Sequence, residues 1–416
     1  MTSKRGDASS SDVIIVGGGL VGLATARALQ SVRGIGQITV LEKEPIVGAH
    51  QSGRNSGVLH SGVYYRPGSL KAELCREGRS EMVAYAAEHG IPFEICGKVI
   101  VATSTDECER LHAIADRARE NGVRAELVGP RRLRDLEPAA DGVEGLHVPD
   151  AGIIDFPAIC RALAEELAGA GHQVVTGARV TAIDRRGSET VVVAEGASAA
   201  GGTAHETRTY RAPLLVSCAG LYADRLARLA GLDPGMQVVP FRGVYYELTP
   251  NARRYCRNLI YPVPDPAYPF LGVHFTRMTD GRVEVGPNAV LATAREGYDL
   301  GTWSARDLVE VVRWPGFLAL SRRHWRKGAY ETGLTLSKRR YVQAVRKLVP
   351  DIDRQDLVPC RSGIRAQALD TDGNMVDDFV ILETDGQIHV CNAPSPAATA
   401  SLAIGLHIAN RVASHV

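Results

Sequence analysis

Apolar residues in this chain fall into short runs that end on glycine or on a single acid. Val13-Ile-Ile-Val16 stops on Gly17-Gly-Gly19, and Ile38-Thr-Val-Leu41 closes on Glu42. Runs of this length predict buried strands, and the Leu, Val and Ala spacing between them predicts a helix from Leu20 to Gln30. Leu214-Leu-Val-Ser217, ending on Cys218-Ala219-Gly220, is a third such run, and 171–175 and 178–182 extend the pattern. Other segments differ in texture. Lys98-Val-Ile-Val-Ala102 predicts a strand and the charged stretch from Asp106 to Asn121 a helix. Strands are expected at Gly243 to Leu248, Leu271 to Phe275 and Arg282 to Val285, where β-branched and aromatic residues accumulate. From Gly187 to Thr209 the composition turns to Gly, Ala, Ser, Thr and Glu, which predicts a surface hairpin.

The implied fold class is α/β (α+β overall). A Rossmann-like cofactor domain from 11–95, 150–235 and 355–416 is interleaved with a substrate domain from 96–149 and 236–354, built on an antiparallel sheet.

The first turn carries specific chemistry. Gly17, Gly19 and Gly22 form G-x-G-x-x-G between a strand and a helix: the first glycine permits the tight turn, the second lets backbone approach a pyrophosphate, and the third lets helix pack on strand. Leu20 and Val21 begin the helix whose N-terminus faces the phosphates. Glu42, about twenty residues further on, is placed to accept hydrogen bonds from both ribose hydroxyls. An adenine dinucleotide is therefore expected. NAD sites are completed within one contiguous domain, whereas a flavin is held by segments returning from distant sequence, and three such segments are visible. Gly48-Ala-His-Gln51-Ser52-Gly-Arg54-Asn55-Ser56-Gly57 is small and polar, suited to a ribityl chain; Ala219-Gly220 ends a strand on small residues; and Asn392-Ala-Pro394-Ser395-Pro396-Ala397 leads into a helix rich in Ala, Ser and Gly. There Ser395 reads as the N-cap and Pro396 as the first helical residue. Together these favour FAD.

Composition bounds the rest. At 416 residues and 45% hydrophobic content the chain can bury a large core, and a net charge of +1 predicts no nucleic-acid partner. The eight cysteines show no C-x-x-C or paired-histidine spacing, so they read as reduced, mostly buried thiols with no metal site. No run of eighteen apolar residues predicts a membrane span, residues 1–10 read as a polar disordered tail, and a cytoplasmic protein, peripheral to the membrane at most, is expected.

Several longer blocks are more particular: His50-Gln-Ser-Gly-Arg-Asn-Ser-Gly-Val-Leu-His60-Ser-Gly-Val-Tyr-Tyr65, Cys96-Gly-Lys98, Val239-Pro-Phe-Arg242-Gly, Asn258-Leu-Ile-Tyr-Pro262, Gly272-Val-His274-Phe-Thr-Arg277 and the 392–405 segment. Over about residues 11–410 the chain resembles the L-2-hydroxyglutarate dehydrogenase/oxidase family, within the larger group resembling D-amino-acid oxidase. The resemblance implies FAD-dependent oxidation of an α-hydroxy acid, most directly L-2-hydroxyglutarate to 2-oxoglutarate. It also implies cofactor contacts that include Lys43, Val180 and Gly363. Two departures stand out: Arg54, where histidine is expected, and Cys360-Arg361-Ser362, where smaller, less charged residues are expected.

Blocks placed near the cavity by resemblance nominate His60 and His274 as the base, since imidazole titrates near neutrality. Arg242, Arg277 and Arg365 are nominated for the substrate carboxylates, because guanidinium pairs bidentately with carboxylate. Tyr64 and Tyr261 could supply hydroxyl donors. The alternatives are another hydroxy acid, an amino acid, or a flavoprotein without catalysis. Oxygen or a quinone is the expected electron acceptor. Trp303, Trp314 and Trp325 lie eleven residues apart beside Arg313, Arg322, Arg323, Arg326 and Lys327. That is about three helical turns, the pattern of an interfacial membrane helix, although Pro315-Gly316 interrupts it. The alternative is two ordinary helices with buried indoles.

Overall fold

A computed structural model describes residues 9–197, 205–265 and 272–415. The chain divides into two compact units, 1–53 with 156–238 and 376–416, and 54–155 with 239–375. Residues 54–95 and 355–375, expected in the cofactor domain, thus belong with the second unit. The reason is pairing. Val58–Leu59 and Phe93–Glu94 both pair with Gly152–Ile154, and Leu357–Asp370 pairs with Met236–Leu248.

In the first unit, six strands lie in the order Gln173–Val175, Ile38–Leu41, Val13–Val16, Leu214–Ser217, Gln387–Asn392 and Val380–Thr384. The first five run parallel and the last antiparallel. Parallel strands are covered on both faces, which is why these runs are continuously apolar. The helix Leu20–Leu29 packs against Phe156–Gly169 and Ser401–Ala413.

The hairpin expected at 187–209 is found, but it is part of a larger sheet and buries one face instead of lying wholly on the surface. Arg179–Arg186, Glu189–Ala197 and His205–Ala212 form an antiparallel sheet, with 198–204 outside the described residues. Val192, Ala194 and Tyr210 pack into one core with Ile14, Val16 and Leu41, because alternate positions of these strands are apolar. Of the expected N-terminal tail, 1–8 lies outside the described residues, and Ser9–Ser10 is no tail but a short strand parallel to His205–Ala212.

A nine-stranded sheet organises the second unit, running Val290–Leu291, Met236–Leu248, Val283–Gly286, His274–Arg277, Leu259–Pro262, Lys98–Ala102, Glu144–Val148 and Glu126–Val128, with Leu357–Asp370 beside Met236–Leu248. It is mixed rather than antiparallel throughout, because Leu259–Pro262 runs parallel to Lys98–Ala102. Of the strand expected at Leu271 to Phe275, Leu271 lies outside the described residues and the strand is His274–Arg277. One face packs Val99, Val101, Phe275 and Val285 against Tyr341 and Val345, and the other packs Ile100, Leu146 and Tyr261 against Leu111 and Ile114 of the helix Thr105–Glu120.

Candidate active site

The first unit holds the glycine turn expected to cradle a nucleotide. Gly17 has φ of +114°, a conformation side chains resist, and it turns the chain from Val13–Val16 toward the helix. The Gly18 amide donates to Glu42 Oε2 at 2.8 Å and the Glu44 amide to Oε1 at 2.8 Å, so the buried carboxylate is aimed by backbone alone. Gly19 caps the helix without a side chain, no acid occupies its first turn, and the Leu20 amide donates to Ser52 Oγ at 2.9 Å. That leaves a helix N-terminus free of acidic side chains, suited to an anion. Val21 continues the helix, and Gln51 Oε1 lies beside Gly220, next to Ala219. Lys43 pairs with Glu44 and lies 2.7 Å from His50 Nε2, and Val180 sits half-buried at the edge of the core cluster.

The helix expected from Ser395 begins instead at Ser401. Pro394, Pro396 and Ala397 lie in a turn, where the Ala397 amide that Ser395 would have capped donates to the Pro394 carbonyl. The nearly side-chain-free stretch is therefore a coil of turns, followed by the helix.

In the second unit, residues from four strands and loops gather His60, His274, Lys98 and Arg365. Burial lowers both imidazole pKa values to about 3, and the Lys98 and Arg365 charges add to the shift. The Nδ1 of His274 is 3.0 Å from the Gly272 carbonyl. A carbonyl only accepts, so Nδ1 carries the proton and Nε2 carries the lone pair. The Tyr261 ring stacks on His274 at 4.1 Å. Burial lifts the Tyr261 and Tyr64 hydroxyls above their usual range, and that of Tyr245 to about 12. Arg365 keeps an exposed face while desolvation lowers its pKa, with Tyr245 and Tyr261 bearing on it. Lys98 is nearly inaccessible, and burial lowers its amine to about 7.

Lys98 was not among the residues nominated from sequence. Its signal was a lysine opening an otherwise apolar strand, on the same side as Ile100 and Ala102.

Two nominated arginines are engaged elsewhere. Arg277 donates to Glu94 with both arms, at 2.9 and 2.6 Å, which lowers the Glu94 pKa. Arg242 is buried and donates to the carbonyls of Gly297 and Asp299. Each guanidinium thus already has protein partners outside the histidine cluster.

The two segments expected to depart from the family pattern share partners. Arg54 lies over the Tyr298 ring at 4.2 Å, Ser362 donates to the Tyr298 carbonyl, and Arg361 joins the Asn55 carbonyl to the buried Glu284. Asn55 also accepts from the Gly57 amide at 2.8 Å across Ser56, which shapes this turn, and Gly363 follows in the strand Leu357–Asp370. All eight cysteines are thiols, four of them buried.

A family model described as FAD dependent oxidoreductase matches residues 12–411. The L-2-hydroxyglutarate dehydrogenase of Escherichia coli strain K12 is 42% identical over 401 residues, covering 96% of this chain and 93% of that protein. The mitochondrial L-2-hydroxyglutarate dehydrogenase of Homo sapiens is 40% identical, covering 99% and 90%.

The chain belongs to the L-2-hydroxyglutarate dehydrogenase family.

It is an FAD-dependent oxidoreductase. The L-α-glycerophosphate oxidase of Mycoplasma pneumoniae, solved with FAD bound, shares the fold at TM-score 0.78 with 23% identity, covering 98% of this chain and 95% of that one. The cradle fits that cofactor: an acid-free helix N-terminus for pyrophosphate, and a carboxylate fixed at the end of the neighbouring strand for a ribose.

Proposed function

We propose that this L-2-hydroxyglutarate dehydrogenase family member oxidises L-2-hydroxyglutarate to 2-oxoglutarate. The observation that carries the reading is His274, neutral and held by Gly272, grouped with His60, Lys98 and Arg365. FAD, held by Gly17, Gly19, Leu20 and Glu42, supplies the acceptor for the hydride at C2. His274 takes the hydroxyl proton on Nε2, which its tautomer leaves available. His60, also neutral, accepts a hydrogen bond or relays that proton. Arg365 binds the carboxylate next to the reacting carbon and so fixes which face of C2 is presented. Tyr261 holds the His274 ring plane by stacking.

Anaerobic mixing with each enantiomer of 2-hydroxyglutarate, following the flavin absorbance, tests this. The L form should bleach the flavin rapidly and the D form should not. Bleaching only by amino acids or by monocarboxylic hydroxy acids would overturn the assignment.

For the electron acceptor, a quinone met at a membrane surface is the reading we favour over oxygen. Its support is a surface on the helices Ala305–Arg313 and Pro315–Leu336. Trp303, Trp325 and Leu336 are 74%, 64% and 74% exposed, beside exposed Arg322, Arg323 and Arg326. The expected buried indoles are thus found only in part. Trp303 precedes the first helix, and only Trp314 is half-buried, donating to the Leu369 and Asp370 carbonyls. No described helix is long and apolar enough to cross a membrane, so contact would be peripheral. Turnover with oxygen that yields hydrogen peroxide stoichiometrically would overturn the quinone reading.

A further inference from the structure

Lysine is almost never fully buried without an anion beside it. Lys98 is 2% exposed, and among the described residues no carboxylate pairs with it and no acceptor takes a hydrogen bond from its Nζ. What it meets are aromatic faces, Tyr64 at 4.6 Å and Tyr261 at 5.0 Å from the ring centroids. Ring quadrupoles compensate a buried ammonium only in part. The Tyr64 hydroxyl is buried without a hydrogen-bond partner, so the amine makes no bond to it either.

The position of this charge matters as much as its isolation. Tyr261 is the ring that stacks on His274, and the Lys98 charge acts on both His60 and His274. Strand register explains the placement. Tyr261 is opposite Ile100 in the parallel pair, on the same side of the sheet as Lys98. A buried amine that lacks a carboxylate partner among the described residues therefore borders the imidazoles.

We propose that Lys98 binds the second carboxylate of the substrate, the one remote from the reacting hydroxyl, and so selects dicarboxylic over monocarboxylic hydroxy acids. The inference rests on the proposed reaction for the identity of the near end. It adds the residue that reads chain length and charge at the far end.

Glutarate and pentanoate, which match in length, lack the hydroxyl and differ by one carboxylate, are the probes. Their affinities for the FAD-loaded protein are measured by flavin absorbance perturbation or calorimetry, for wild type, Lys98→Met and Lys98→Gln. Wild type should prefer glutarate. Either variant should weaken glutarate by about 10- to 150-fold, the range of a charge-assisted hydrogen bond, and leave pentanoate within about twofold. Lys98→Met keeps the side-chain length and removes a buried charge, so its thermal midpoint should not fall. Lys98→Gln keeps a polar tip and provides the same comparison should Met disturb folding.

Glutarate affinity unchanged in a folded variant would overturn the proposal. So would equal weakening of both ligands, which would assign Lys98 to the shape of the site. The two readings fail separately. Wild type that discriminates through Lys98 but is not bleached by L-2-hydroxyglutarate would remove the reaction and keep the anchor, whereas bleaching with glutarate binding indifferent to Lys98 would do the reverse.

Discussion

His60 and His274 are neutral at a pH where imidazole in an unfolded chain is charged, and stability must register the difference. Their folded pKa values of about 3 lie below the ordinary 6.5. Between those values the unfolded chain binds more protons than the folded one. Stability is therefore fully present above pH 6.5 and is lost as pH falls toward 3. Each histidine contributes a slope of about 1.4 kcal/mol per pH unit once well below 6.5. Denaturant titration at pH 7 and pH 5 should show this loss, and His60→Gln with His274→Gln should flatten it. The same neutrality makes His274 available as a base throughout that range. His274→Asn should lower the flavin reduction rate about 10²- to 10⁴-fold with glutarate affinity retained.

Arg242 tests the opposite kind of role. It is tied to two carbonyls, so Arg242→Ala should cost about 1–3 kcal/mol of stability, read by denaturation, and leave glutarate affinity unaltered. Lost affinity with undiminished stability would return it to the substrate. Sequence ranked Arg242, Arg277 and Arg365 equally, because what separates them is distant in the chain. Glu94, the partner of Arg277, lies 183 residues away, and nothing local announces it.

At the scale of elements, local pattern was legible where an element is self-sufficient. Ile38–Leu41 and Lys98–Ala102 are found as their apolar runs predict, and the first helix ends one residue short of Gln30. Legibility failed where tertiary pairing decides. Residues 54–95 follow the cofactor loop in sequence, yet their strands pair with Gly152–Ile154. At Ser395 a serine followed by proline imitates a helix start, while successive carbonyls capture the amides in turns.

The true helix, Ser401–Ala413, depends on one small residue. A Cβ on Gly405 would lie 2.5 Å from the backbone carbon of Ala24 in the nucleotide helix. Backbone cannot yield as a flexible side chain does, so Gly405→Ala should destabilise by about 1–3 kcal/mol and displace the helix that presents the phosphate site. Faster FAD release, followed by flavin fluorescence, should accompany the lower midpoint; retention of FAD at the wild-type rate would show that the helix absorbs the methyl group.

Across the whole molecule, the chain passes between its two units at residues 53–54, 155–156, 238–239 and 375–376. Neither unit is a contiguous segment. Deleting 376–416 removes no residue of the glycine turn, but it strips the six-stranded sheet of Val380–Thr384 and Gln387–Asn392 and the helix Leu20–Leu29 of one of its two helical partners. That truncation should bind no FAD and should expose apolar surface to a hydrophobic dye. The basic helical surface of the second unit makes a separate prediction: sedimentation with anionic vesicles and not with neutral ones, reduced by Trp303→Ser with Trp325→Ser.

All three tryptophans lie between residues 303 and 325, so the first unit contains none. Intrinsic indole emission is consequently a one-sided probe of denaturation: it follows the second unit and is silent about the first, for which a flavin held as proposed would provide a colour of its own. Two optical signals, recorded on one sample, can therefore time the loss of each half of this molecule independently.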